Sequence, residues 1–121
     1  MTSQIEFDVV IVGGGLTGTA LALAMSATAH RVGLLEPQPP KPPADDWDSR
    51  IYAFSPGNVA WLKGLGGWRA PLRAEAVREM RIHGDAGGYL TMDALDAGLP
   101  ELAWIAENGR LQYTLWQAAR D

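Results

Sequence analysis

Residues 7–36, "FDVVIVGGGLTGTALALAMSATAHRVGLLE", decide how this chain is read. From Val9 to Ala29 no residue is charged for 21 positions, a run long enough to cross a bilayer. Local chemistry argues against a membrane span. Val9 to Val12 is an unbroken apolar, β-favouring run, the pattern of a strand covered on both faces. Gly13, Gly14 and Gly15 then cut the run where a spanning helix would be weakened, and where a strand turning sharply into a helix needs residues free to take positive φ. Leu16 to Ala29, rich in Leu, Ala and Met, predicts a helix, and "HRVGLLE" returns to an apolar strand over Arg31 to Glu36. The order is strand (Phe7 to Val12), glycine turn, helix, strand.

Within that unit Gly13, Gly15 and Gly18 have the G-x-G-x-x-G spacing. The first permits the tight turn, the second lets a pyrophosphate approach the backbone, and the third lets helix and strand pack closely. Ala22 keeps the same helix face small. The amides opening the helix, at Leu16 and Thr17, would face the phosphates with the positive end of the helix dipole behind them. Glu36 ends the second strand 23 residues after Gly13, where an acid that accepts from the adenosine ribose hydroxyls belongs. These conditions together predict a dinucleotide site. The competing readings are a glycine-rich turn with structural duties alone and, for Glu36, a solvated strand-end acid.

Composition narrows the alternatives. A chain of 121 residues, 47% hydrophobic and 20% charged, is one globular domain's worth. Without cysteine there is no disulfide framework, thiolate nucleophile or iron–sulfur site, which fits a reducing compartment. A formal charge of −4 with dispersed basic residues argues against nucleic acid as a partner. Glu6 and Asp8 sit where a signal peptide would carry positive charge, so a cytoplasmic protein is expected, associated with a membrane at most peripherally.

Beyond Glu36 the composition shifts. Five of the eight prolines fall between Pro37 and Pro43, predicting a stiff, extended surface loop over Pro37 to Asp46, a spacer first, with a docking site for a proline-binding module as the other reading. Ser55-Pro56 reads as a helix start, with the helix running through Trp61 and Leu62 to the glycines at 64, 66 and 67. "VREMRIHGDAGGYLTMDAL" alternates around Asp85 to Gly88 as a hairpin would, and "LAWIAE" reads as a further strand. Asn108 is a candidate N-cap for a final helix to Asp121, with Leu111, Leu115 and Ala118 on one face.

At Arg50 these pieces join into a family resemblance. "DVVIVGGGLTGTALALAM", Glu36, "DSRIYAFSPGNVAWLKGLGGW" and "WIAENGRLQYTLWQAA" together resemble the amino-terminal part of FAD-dependent aromatic hydroxylases, most of all the ubiquinone-biosynthesis flavin monooxygenases. The restrictive part is Asp48-x-Arg50, then Ala53-x-Ser55, then Leu62-x-x-Leu65-Gly66; Phe54 stands where leucine is expected. The resemblance implies an α/β fold: a Rossmann-like βαβ half-site for the ADP part of FAD, with the start of an inserted β-rich substrate domain. It implies a division into residues 1–75 (FAD unit and following helix), 76–107 (start of the substrate domain) and 108–121 (a helix returning to the FAD unit). Gly13, Gly15, Gly18 and Glu36 would hold FAD, with Arg50 and Asn108 reaching it from further along the chain. NAD(P)H would reduce the flavin, and a small aromatic or prenylated phenol would be hydroxylated.

Each residue also has a plainer role open to it. Arg50 could pair with Asp46 or Asp48, and Asn108 could serve only as a helix cap. His83 has no partner at a telling spacing, and the tryptophans at 47, 61, 68, 104 and 116 suit core and interface packing. No acid/base pair, nucleophile or metal cluster is evident, so a cofactor would carry the chemistry. The Gly-Asp segment that the family places further along is not in these residues, and the chain is therefore expected to be an amino-terminal fragment, inactive alone. A nicotinamide-binding oxidoreductase domain and a non-catalytic interaction fragment are the other readings.

Overall fold

The computed structural model describes residues 3–120. In chain order the elements are β1 (Val9–Val12), α1 (Leu16–Met25), β2 (Val32–Leu35), β3 (Ile51–Phe54), α2 (Pro56–Gly64), β4 (Ala74–Val77), β5 (Glu79–His83), β6 (Tyr89–Asp93), β7 (Ala103–Glu107) and α3 (Asn108–Arg120). The fold is mixed α/β. Asp121, where the sequence ends the last helix, lies outside the described residues.

β1 and β2 pair in parallel, with Val10 opposite Gly33 and Val12 opposite Leu35. Parallel neighbours need a crossover, and α1 supplies it. The helix stops at Met25, short of the expected Ala29. There Ser26 Oγ and Thr28 Oγ1 donate to Leu23 O and Met25 O, each at 2.6 Å, and these local hydroxyl bonds satisfy the last carbonyls in place of further helix. Ile11 turns toward α1 and is buried. The other face differs from expectation: Val10, Val12 and Leu35 are 49%, 84% and 55% exposed. An apolar run shows that both strand faces are apolar, but a second cover must come from another element, and among the described residues none lies there.

A second sheet runs β3-β7-β4, antiparallel throughout, with Tyr52 and Ala74 both paired to Ala106. β3 and β4 were not evident in sequence: four residues each, they are defined by pairing with β7, a partner distant in the chain. This sheet joins residues on both sides of position 75. The expected hairpin is β5–β6, closing at His83 opposite Tyr89, with Gly87 at φ 82° in its turn. Val77 does not belong to it; it ends β4. His83 is exposed and lies beside the Tyr89 ring.

α2 starts as its sequence predicts. Ser55 Oγ accepts from Asn58 N at 3.2 Å and Pro56 takes the first helical position. Past its end, Gly67 N reaches Leu62 O and Gly66 N reaches Lys63 O, with Gly66 at φ 81°, the Schellman arrangement that glycine permits. The core lies where the three helices meet: Leu23, Leu62, Leu111 and Leu115, flanked by Phe54, Leu65 and Trp68. Leu111 and Leu115 come from the face of α3 that the sequence marks as apolar. Trp47 and Trp61 are exposed rather than core.

Because Leu115 is fully buried at this junction, Leu115→Ala should destabilise the fold by about 2–5 kcal/mol. Urea denaturation followed by tryptophan fluorescence measures it, and a loss below about 1 kcal/mol would mean that the helices do not share a packed core.

Candidate functional site

The glycine turn is built as its spacing requires. Gly13 N donates to Leu35 O at 2.8 Å, carrying the parallel ladder one residue past β1, and φ of 105° at Gly13 then turns the chain. A Cβ on Gly18 would overlap Gly13 O and stand 3.4 Å from Ile11 Cγ2, so this glycine lets α1 close on β1. A Cβ on Gly15 would meet nothing within 4 Å. The position assigned to a pyrophosphate therefore opens onto free space.

α1 begins beyond Gly15 with no side-chain cap and no acidic residue in its first turn. The amides of Leu16 and Thr17 find no acceptor among the described residues, although the Leu16 side chain packs on the core and Thr17 is exposed. Unpaired amides at the positive end of a helix favour an anion.

Glu36 reaches back to the turn. Its Oε2 accepts from Gly14 N at 2.7 Å and its Oε1 from Gln38 N at 3.1 Å. These bonds, Gly14's first, hold its carboxyl below the usual range. Each oxygen keeps a further lone pair for a hydroxyl donor.

Gly14, which the motif spacing leaves unassigned, is the most enclosed point of the turn. A Cβ there would lie 2.8 Å from both Glu36 Cβ and Trp116 Cζ3. Its carbonyl accepts from Gln112 Nε2 at 2.9 Å. Trp116 and Gln112 share one face of α3 with Asn108, at intervals of one turn. Asn108 thus lies about 12 Å along the helix axis from Trp116. Glu36 with Trp116, Gly14 with Gln112, and Asn108 follow one another along this face.

Asn108 is not the cap. It is the first helical residue, and its N–H donates to Arg50 O at 2.8 Å. The cap comes from Asp48, whose Oδ2 accepts from Gly109 N at 2.9 Å and whose Oδ1 accepts from Arg50 N at 2.9 Å. These two N–H groups, Arg50's first, hold the Asp48 carboxyl below its usual range. The Arg50 side chain is exposed and makes no ion pair among the described residues, so neither Asp46 nor Asp48 occupies it. The structure brings Arg50 and Asn108 together at one end of α3.

Behind them Glu107 is 3% exposed. Arg73 grips it bidentately, Nε to Oε2 and Nη2 to Oε1, both at 2.8 Å, and Arg110 Nε stands 3.4 Å from Oε2. Glu107 Oε1 also accepts from Asp48 N at 3.0 Å. The Arg73 guanidinium, ahead of the other partners, holds the Glu107 carboxyl below its usual range. Arg73 lies over the Trp47 ring at 3.7 Å and donates to Asp46 O, while Arg110 donates to Ala44 O. The proline-rich segment is therefore gripped along its second half rather than being a free spacer.

Sequence reasoning missed Gly14, Asp48 as a cap, Gln112, Trp116 and the Glu107 cluster. The spacing of Asn108, Gln112 and Trp116 at helical intervals and the i,i+3 pair of Glu107 and Arg110 were the available signals; pairs 34 to 98 positions apart carry none. The cavity at the far end of α1, about 660 Å³ and lined by Ser26, His30 and Trp116, contains none of the predicted site residues. Beside Leu16 and Thr17 an apolar groove of about 420 Å³ runs between the helices. Among the described residues no helix is long and apolar enough to cross a membrane, and no cluster of His, Asp or Glu could hold a metal.

No protein-family model matches the chain. Over 98% of its length it is 38% identical to the 3-demethoxyubiquinol 3-hydroxylase of Escherichia coli, and over 90% of its length 31% identical to the mouse mitochondrial ubiquinone biosynthesis monooxygenase COQ6. It spans 31% and 25% of those two proteins. In fold it is similar to p-nitrophenol 4-monooxygenase PnpA of Pseudomonas putida (TM-score 0.64, 23% identity, 98% of this chain and 29% of that one). It is similar also to aklavinone-11 hydroxylase, whose structure holds FAD and aklavinone (TM-score 0.56, 21% identity, 98% of this chain and 24% of that one). The resemblance that began at Arg50 is borne out by these relatives.

Two outcomes are expected of the site as a structure. Gly18→Ala should lower the melting temperature strongly and Gly15→Ala hardly at all, since only the first adds a Cβ against Gly13 O; equal effects in a thermal melt would contradict the loop geometry. Because the folded Glu107 carboxyl is depressed, its stabilising contribution is complete above the ordinary carboxylate range and drains away as pH falls through the lowered folded value. Glu107→Gln should therefore flatten the acid limb of stability against pH, and an unaltered limb would show that the ion pair is not formed.

Proposed function

We propose that this chain, a relative of the ubiquinone-biosynthesis hydroxylases over nearly its whole length, forms the part of a flavin-dependent aromatic monooxygenase that binds the ADP half of FAD. The observation that carries this reading is the pairing of open space at Gly15 with a carboxylate, Glu36, bonded to the neighbouring Gly14. Phosphates need room and unpaired amides; ribose needs an acceptor at a fixed distance from them. Both are here.

In this reading β1, α1 and β2 are a Rossmann-like half-site. The amides of Leu16 and Thr17 take the pyrophosphate, and Gly13 and Gly18 shape the turn that presents them. Glu36 accepts from the ribose hydroxyls with its free lone pairs, and as an anion it disfavours a 2′-phosphate there. Asn108 and Arg50, at the end of α3 away from Glu36, face the flavin half of the cofactor. Bound flavin would supply the redox chemistry, taking a hydride from NAD(P)H and activating oxygen for hydroxylation of an aromatic ring. The substrate class is a phenolic ubiquinone precursor, by kinship with the relatives named above, and peripheral contact with a membrane would suit such a substrate. Residues 1–75 serve the cofactor, 76–107 begin the substrate-binding part, and 108–121 return to the cofactor.

The test is titration of FAD into the full reading frame that contains this chain, following quenching of tryptophan fluorescence, with NADH titrated in parallel. Trp116 stands beside Gly14 and should report directly. Glu36→Ala should raise the FAD dissociation constant at least about tenfold, since two charge-assisted bonds are lost. Gly15→Val should abolish binding without unfolding the chain. An unchanged constant for Glu36→Ala, or full flavin occupancy in Gly15→Val, would rule the assignment out, and saturation by NADH in place of FAD would favour a nicotinamide site.

A further inference from the structure

The buried ion cluster around Glu107 has no role in the site as proposed. Glu107 and Arg110, 4% and 11% exposed at their side chains, are costly to remove from water, and apolar side chains of similar volume would stabilise such a position at least as well. What apolar residues cannot supply is direction. Outside the cluster itself, nearly every bond it makes points at one segment: Glu107 to Asp48 N, Arg73 to Asp46 O, Arg110 to Ala44 O. The remaining bond, from Arg110 to Pro71 O, ties down the turn that precedes Arg73. The gripped segment ends in Asp48 and Arg50, whose acceptors hold the first two amides of α3.

We infer that Glu107, with Arg73 and Arg110, is a positioning site for the flavin half of the cofactor: it sets the Ala44 to Arg50 segment against the start of α3 and so fixes where Arg50 and Asn108 stand relative to the glycine turn. This rests on the FAD reading above. Glu107 itself is buried behind that segment, bonded to the Asp48 amide. Its bonds therefore bear directly on the end of the site where Arg50 and Asn108 lie. Glu36 and Gly14, at the adenosine end, are held by bonds that do not involve the cluster.

That division makes the inference testable with two nucleotides. In the full reading frame containing this chain, Glu107→Gln keeps the shape but loses the charge, and Arg73→Lys keeps the charge but loses the bidentate fork. Each should weaken FAD binding about tenfold, the worth of one charged hydrogen bond, and leave ADP binding unchanged. The visible circular dichroism of the bound flavin should shift in both, as a merely global loss of stability would not produce. Arg73 is 32% exposed at its side chain, so Arg73→Lys carries the test if Glu107→Gln does not fold. FAD and ADP weakened together, or neither weakened, would overturn the positioning role. Wild-type protein that binds neither nucleotide would overturn the cofactor reading, and this inference with it, and that result needs no variant to recognise.

Discussion

The Gly14 peptide is the point on which the site depends. Its N–H is bonded to Glu36 at the end of β2, and its C=O to Gln112 on α3. One residue thereby joins the parallel sheet, the glycine turn and the last helix. Only glycine can stand there, because a side chain would drive apart Glu36 and Trp116. Among the motif glycines, Gly15 leaves space open to a ligand, while Gly13 turns the chain and Gly18 lets the helix close on the strand. Gly14 is required for what it closes within the protein.

Closing that point has an electrostatic consequence. Glu36 already serves one turn amide, so it is held as an anion and oriented before any ligand arrives. A preoriented acceptor spares a ligand the entropy of ordering it. The same logic operates at the other end, where Asp48 caps α3 and is itself held through its backbone by Glu107. Two carboxylates of similar chemistry thus frame the site, each fixed by backbone N–H groups rather than by a solvent-exposed lysine.

How much of this could be read in the chain depends on the range of the interaction. The turn at Gly13, the crossover, the Ser55-Pro56 helix start and the Asp85 to Gly88 hairpin were legible because each is set by residues within a few positions of one another. The Leu111 and Leu115 face was legible through its period. β3 and β4 were hidden because each is defined by pairing with the distant β7, and the early end of α1 by two hydroxyls that prefer local carbonyls. Glu107 reads in sequence as a strand-end acid like Glu36, yet one faces the turn and the other is buried between arginines. Arg110, three positions after Glu107, is the local difference between them; the bidentate partner, Arg73, is 34 positions away and could not be read.

The helices meet in an apolar core, but that core does not by itself place α3. Apolar contact is non-directional, and a helix can slide along a leucine-lined groove with little change in buried area. A slip of one residue would carry Asn108 and Gln112 about 1.5 Å along the axis and turn them off the face that meets Gly14. Hydrogen bonds lose their strength over smaller errors than that. The bond from Gln112 to Gly14 sets the helix at its middle, and Asp48 on Gly109 with Arg50 on Asn108 sets its start. The division of labour follows from the physics: leucines supply the attraction, while a few polar contacts, far apart in sequence and therefore unreadable locally, choose the register in which Glu36, the glycine turn and Asn108 fall into line.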